Sequence, residues 1–333
     1  MSWKSVLRAD PTDWLLSEGR PWVRYRTLVD LLDRQEDIPE VVEARQEVLA
    51  DERIKSLVAA LRDEELGIRA ICGEKVITHI KPDTFYWVLC FLGEIGLTKD
   101  DLGLNEMVET LFDLVSPDHF FASVKEGDKP ICLAAVLSCS LAGLGCSDDS
   151  RVRACYQHLL DLRAPDGGWH CAFMQRRWKK LKSSPDTCPL ANLDGLRALS
   201  VYPELWGEAE RIVDLLLLHW EERGGPYRPY GFGIGTKFRK LRYPPTPYDI
   251  LGFADALARF PYARGQTAFR EVVEQTISKQ DEEGRFYAES ISRAWKPFDF
   301  GQKKVPSPWI TFLALRTIKR ACLQRLPKTD PGA

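Results

Sequence analysis

Five stretches of the chain share one hydrophobic pattern. Each opens on a proline or polar residue and runs on for about four turns rich in Leu, Ala, Trp and Phe. They are Lys81 to Leu97, Pro130 to Leu144, Pro185 to Val201, Pro244 to Phe260 and Pro306 to Arg320. Their starts recur roughly every 50 to 60 residues, which marks an internal repeat. Proline suits a helix start because its fixed φ fits the first turn and its missing N–H had no partner there. Between these stretches lie amphipathic segments with charged faces: Leu104 to Val115, Ser150 to Leu162, Gly207 to Arg223 and Gln266 to Gln280. A helix that is apolar all round must be buried on every side, whereas one with a charged stripe borders water. The first set therefore reads as inner helices and the second as outer ones. Pro21 to Leu32 adds a first inner helix and Pro39 to Leu61 its outer material. About six inner/outer pairs result, enough to close a ring, and the expected fold is an all-α (α/α)6 barrel forming one domain over residues 1–325. Residues 326–333 (LPKTDPGA) are polar and Pro/Gly-rich and read as a frayed tail.

Composition narrows the class. Of 333 residues, 44% are hydrophobic and 28% charged, a globular balance rather than a disordered or fibrous one. Apolar runs fall well short of the roughly 20 residues that span a bilayer, and no secretory h-region is visible, so a cytoplasmic setting is expected. The nine cysteines are odd in number and scattered, several within helical patterns, which points to reduced thiols rather than a disulfide framework. A net charge of −2 offers no global attraction to nucleic acid, so no nucleic-acid partner is expected. Trp178, Phe238 and Trp295 are interleaved with basic residues and offer the only stacking platforms for such a partner.

Two turns carry a resemblance. Gln280, Gly284 and Phe286 are similar to the Gln-x-x-x-Gly-x-Trp repeat of squalene-hopene cyclases, with Phe in place of Trp. Arg163 to Trp169 (RAPDGGW) has the same spacing, with Arg where Gln is usual. Together with the helical repeat, the chain resembles the α/α toroids of terpenoid cyclases and protein prenyltransferases from about residue 20 to 320. The Asp-x-Asp-Asp proton donor of the cyclases is missing, and Asp148-Asp149 and Asp281-Glu282-Glu283 read as solvated caps, so squalene-type cyclisation is disfavoured. The prenyltransferase branch implies a zinc site: Asp186-Thr187-Cys188 resembles its Asp-x-Cys, while Asp249 stands where its histidine is expected.

Cys132 opens the preceding inner helix and Cys171 follows Trp169 beside His170, so Cys188, Asp186, Cys171, Cys132 and His170 form the candidate metal set. Mixed thiolate, carboxylate and imidazole donors suit tetrahedral zinc. The cysteines read equally well as small buried hydrophobes. Asp249 and Asp186 are the candidate acid–base residues. Three connections into inner helices, around Lys180 and Lys182, Lys240 and Arg242, and Lys303 and Lys304, are basic and should share one rim with the positive helix N-termini. The expected substrate is an apolar, isoprenoid-like molecule whose anionic group, such as a diphosphate, sits at that rim, with Trp87, Tyr248 and Trp309 among the aromatics lining the barrel. The alternative is a barrel without chemistry that binds an apolar ligand or a protein partner.

Overall fold

The structure is a computed structural model, and it describes residues 2–63, 67, 81–82, 84–113, 131–246 and 248–323. Among the described residues the chain is all-α, with no strand. In chain order the helices are α1 (Thr12–Glu18), α2 (Pro21–Arg26), α3 (Pro39–Ala50), α4 (Glu52–Ala60), α5 (Phe85–Glu94), α6 (Leu104–Asp113), α7 (Ile131–Leu141) and α8 (Ser150–Asp161). They continue with α9 (Ala172–Arg177), α10 (Pro189–Leu199), α11 (Glu210–Glu221), α12 (Ile250–Ala258), α13 (Pro261–Arg264), α14 (Thr267–Ile277) and α15 (Pro308–Ala321). Single π turns extend α2 to Leu31 and α7 to Cys146. The expected tail at 326–333 lies outside the described residues.

Local chemistry sets the boundaries. Proline occupies the first turn of α2, α3, α10 and α15. Asp51, Asp149, Asp249 and Ser307 accept from backbone N–H groups at the starts of α4, α8, α12 and α15, so these four helices begin on side-chain caps. Asp149 is thus a cap, as its sequence context implies.

The inner and outer assignment follows from burial. Three helices bury every residue but one: Cys139 is the exception in α7, Arg197 in α10 and Asp255 in α12. By contrast α8, α11 and α14 bury a single stripe, such as Val152, Cys155, Tyr156 and Leu159 of α8. Helix α5 packs on α7, α7 on α10, α10 on α12, α12 on α15, and α15 returns to α2. Trp22 of α2 meets Phe91 of α5 edge-on at 5.9 Å. Outside this series α3 covers α2, α8 covers α7, α11 covers α10, and α14 covers both α12 and α15.

The C-terminal ends of the inner helices lie together. Lys319 of α15 donates to the carbonyls of Asp30 and Leu31 at 2.8 and 3.2 Å, Arg316 reaches Glu94 at the end of α5, and Arg259 reaches Ser200 just after α10. The inner helices therefore run in one direction, with their N-termini at the opposite end. That opposite end is filled by aromatic rings from the connections. Phe91 is surrounded by Trp22, Tyr243, Trp295, Phe298, Phe300 and Trp309 at centroid distances of 5.4 to 6.0 Å. Each such ring contributes about 1.5–3 kcal/mol by burial, with edge-on pairing adding to it.

Candidate functional site

The thiol group foreseen near the start of α10 assembles in part. The turn from Ala164 to Trp169 is pinned to α10 and the residues just ahead of it by three hydrogen bonds, braced by a fourth between Asn192 and Thr187. Asn192 Oδ1 accepts from the Trp169 N–H at 2.8 Å, and the Trp169 carbonyl accepts from the Cys188 N–H at 2.8 Å. Asn192 Nδ2 donates to Thr187 Oγ1 at 2.9 Å, and Thr187 in turn donates to Asp166 at 3.0 Å. This anchoring carries Cys171 to the thiols of both Cys132 and Cys188. The hydrogen bond to Cys171, reinforced by burial, pushes the Cys132 and Cys188 thiols well above the usual thiol range. They are protonated at neutral pH.

The other two donors of the expected metal set are engaged elsewhere. His170 Nδ1 lies 2.9 Å from the Tyr230 hydroxyl, and Asp186 is the hydrogen-bond partner of Tyr227. Among the described residues, no group of three or more His, Cys, Asp or Glu side chains is spaced to hold a metal ion. The five residues Cys132, Cys171, Cys188, Asp186 and His170 therefore do not form one cage. Asp186, bound to a tyrosine and half-buried, stands apart from the central cavity described below and loses its acid–base assignment.

The basic rim also divides. Lys180 and Lys182 lie on an exposed 3-10 turn, and Lys240 is half-buried. Arg242 turns inward: its Nε is 3.3 Å from Asp249 Oδ2, and its Nη2 donates to the Lys237 carbonyl at 3.0 Å. Asp249 is fully buried and caps α12 by accepting from the Gly252 N–H at 2.9 Å. Burial raises its carboxyl to about 6 against the opposing pull of Arg242 and Arg197. A carboxyl poised there exchanges a proton near neutrality, so Asp249 keeps its place as an acid–base candidate.

The aromatic expectations need correction. Trp309 packs into the Phe91 group and stacks on Phe312 at 5.2 Å, and Tyr248 stacks on His219 with its hydroxyl 3.2 Å from Nδ1. Both are core residues: Trp309 is packed by rings from the connections, and Tyr248 by His219 of α11 and by Phe238. Trp87 alone of the three borders the cavity. Phe238 and Trp295 are buried and offer no stacking platform, while Trp178 is exposed.

A cavity of about 300 Å³ lies among the inner helices. Six arginines line it: Arg26, Arg197, Arg242, Arg259, Arg316 and Arg320. Among the described residues, two carboxylates, Glu94 and Asp255, face it with them. Three more stand behind the arginines: Asp30 on Arg26 at 2.7 Å, Asp194 on Arg197 at 2.9 Å, and Asp249 on Arg242 at 3.3 Å. Six arginines against five carboxylates leave one positive charge in excess.

The electrostatics follow from this crowding. Burial alone would raise the Asp255 carboxyl, but Arg259, Arg316 and Arg320 outweigh it and hold Asp255 far below the carboxylate range. Burial and repulsion from Arg316 and Arg259 lower Arg320 to about 9, although Asp255 works against them. Among the described residues, Arg197 Nη2 and Arg316 Nε find no hydrogen-bond partner. Gly252 leaves room for the Arg197 guanidinium, since a Cβ there would fall 2.2 Å from Nη2. Tyr243, Cys90, Cys139 and Leu251 complete a mixed wall.

The sequence carried a usable sign of this site. A charge inside an otherwise largely apolar helix, Asp255 alone in ILGFADALA or Arg197 with Asp194 in PLANLDGLRAL, is costly unless it is paired or faces a polar space. The residues that break the burial of α7, α10 and α12 are the ones that line the cavity. No protein-family model and no curated protein matches the chain. Among the described residues no helix is long and apolar enough to cross a membrane.

Proposed function

We propose that the protein is an α/α toroid that binds a small molecule through an anionic group in its central cavity. The observation that carries this reading is the lining itself, six arginines and two carboxylates around about 300 Å³. Ligand pockets start at about this size, and the volume equals about ten waters at roughly 30 Å³ each. It holds a head group and a short stem rather than a C30 chain, so the isoprenoid-like substrate expected from the resemblance is a short one. Trp87, Leu251 and Leu313 supply apolar wall for that stem. Enzymatic chemistry in the terpenoid cyclase and prenyltransferase manner is supported by Glu94, which accepts from both Tyr243 and Arg316, and by Asp249 with its raised pKa.

The test is thermal unfolding at constant ionic strength with short alkyl and prenyl phosphates and carboxylates. Saturable stabilisation, reduced at least tenfold in apparent affinity by Arg197→Gln, is expected. Equal stabilisation by neutral alcohols of the same length, with no benefit from the anionic group, would overturn it.

A second reading rests on the three gathered thiols. As they lose their protons, zinc would draw Cys132, Cys171 and Cys188 into a three-sulfur site, which needs one further ligand. Zinc titration followed by proton release tests it: stoichiometric uptake abolished in Cys171→Ala supports the site, and no uptake by the wild type removes it.

A further inference from the structure

The cavity differs between its two ends. Trp87 and Leu251 belong to the first turns of α5 and α12, and Tyr243 and Pro245 to the connection ahead of α12. Arg320 belongs to the last turn of α15, Arg316 to the turn before it, and Arg259 directly follows α12. The apolar wall and the densest positive charge are thus separated along the inner helices. The negative ends of the helix dipoles fall where the arginines gather, which helps to hold them there.

Three guanidinium groups meet around Asp255. Arg259 Nη2 is 2.8 Å from Oδ2, Arg320 Nη1 is 2.7 Å from Oδ1, and Arg316 Nη2 is 3.6 Å from Oδ1. Glu94 takes one further bond from Arg316 at 2.8 Å, and Ser200 one from Arg259 at 3.2 Å. Each guanidinium has five N–H donors, so these acceptors satisfy only part of the set. Two of the three cations carry the accessible surface: Arg259 and Arg320 side chains are 27% and 28% exposed, against 15% for Asp255 and 5% for Arg316 behind them. An incoming anion meets the arginines before it meets the carboxylate.

Geometry narrows the kind of anion. One guanidinium fork suffices for a planar carboxylate, bound through two parallel hydrogen bonds. Forks arriving from two helices suit a group with three acceptor oxygens in different directions, as in a phosphoryl group. Building on the anion-binding reading of the cavity, we propose that the Arg259–Arg316–Arg320 end is the site of a tetrahedral oxyanion, a phosphate or sulfate group. The rest of the ligand then extends toward Trp87 and Leu251. The head group sits at the C-terminal ends of the inner helices, away from the turn that carries Lys180 and Lys182.

The experiment titrates the full-length protein with inorganic phosphate, sulfate and acetate at constant ionic strength, read by calorimetry and thermal unfolding. Phosphate and sulfate are expected to bind saturably, with acetate at least tenfold weaker. Arg320→Gln is expected to weaken phosphate at least tenfold while unfolding, without ligand, at the wild-type temperature or above, because like-charge repulsion is relieved. Arg320→Lys keeps the charge without the fork and should recover only part of the affinity, and it serves where the glutamine variant fails to fold. The paired substitution Lys180→Gln, Lys182→Gln should bind as the wild type does. Unchanged phosphate binding in both Arg320 variants overturns the assignment, as does a loss that follows the lysine pair. A loss that follows Arg197→Gln alone also overturns it but leaves an anion elsewhere in the cavity. Absence of binding by phosphate and by the alkyl phosphates together overturns the cavity reading itself.

Discussion

Tyr243 donates its hydroxyl to Glu94 at 2.7 Å, joining the connection ahead of α12 to the end of α5. The second oxygen of Glu94 accepts from Arg316 Nη2 at 2.8 Å. Arg316 is only 5% exposed, and its other carboxylates, Asp255 and Asp30, lie at 3.6 and 3.8 Å. Glu94→Gln would leave this buried cation without its closest counter-charge, and a loss of about 3–5 kcal/mol is expected. Tyr243→Phe removes one bond to a charged acceptor and should cost about 1.5–3 kcal/mol. Urea unfolding of the two variants checks the order, and an equal cost for both would show that the ion pair with Arg316 adds nothing.

Two buried groups make opposite contributions to stability as pH changes. His219 sits between the Tyr248 hydroxyl and the Phe232 carbonyl, each at 3.2 Å, and burial lowers its pKa to about 4. The unfolded chain binds that proton near the ordinary histidine value of 6.5, so the neutral folded ring loses stability as pH falls from 6.5 toward 4. Asp249 works the other way. Its folded pKa of about 6 exceeds the ordinary aspartate value of 3.8, so its contribution is fully present below 3.8 and is lost as pH rises through about 6. Relative to wild type, Asp249→Asn should therefore gain stability between pH 4.5 and 7, whereas His219→Gln should gain between pH 7 and 4.5. Chemical denaturation at both pH values reads the two slopes, and parallel behaviour of the variants would contradict the assignment.

Much of the fold was legible because burial demands it. The apolar segments around α7, α10 and α12 have no polar face to offer water, and the structure buries each of them on all sides. The cavity was harder to read. Lys180 and Lys182 stand out in sequence because they are clustered, and clustering in a loop reflects exposure. Arg197, Arg259 and Arg316 come from separate helices, so their meeting depends on packing that local sequence does not record. Trp309 and Tyr248 misled for a related reason, since each packs against whatever its surroundings bring, Tyr243 from a connection against Trp309 and His219 from the outer helix α11 against Tyr248. The thiols lay between these cases. Cys171 and Cys188 adjoin a turn whose hydrogen bonds could be anticipated, whereas the pairing of Asp186 and His170 with Tyr227 and Tyr230 could not.

The two Gly-aromatic turns supply the last prediction, because they repeat each other bond for bond. Trp169 donates its N–H to Asn192 and accepts from the Cys188 N–H; Phe286 donates to Thr311 at 2.9 Å and accepts from the Ser307 N–H at 2.9 Å. In that register Gly195 of α10 corresponds to Ala314 of α15. A Cβ on Gly195 would lie 2.2 Å from the Trp169 ring, which donates through Nε1 to the Leu159 carbonyl and cannot easily retreat. The larger ring therefore goes with glycine and the smaller ring with alanine. Gly195→Ala would gain up to about 1 kcal/mol in helix propensity. Overpacking of about 1–3 kcal/mol opposes that gain, and the clash distance decides that it wins. Trp169→Phe makes room and gives up the indole hydrogen bond, so the double variant should lose less than the two single losses combined. A coupling of at least about 0.5 kcal/mol in a double-mutant cycle by urea unfolding is expected. Additive losses would mean that Trp169 and Gly195 do not set each other's size.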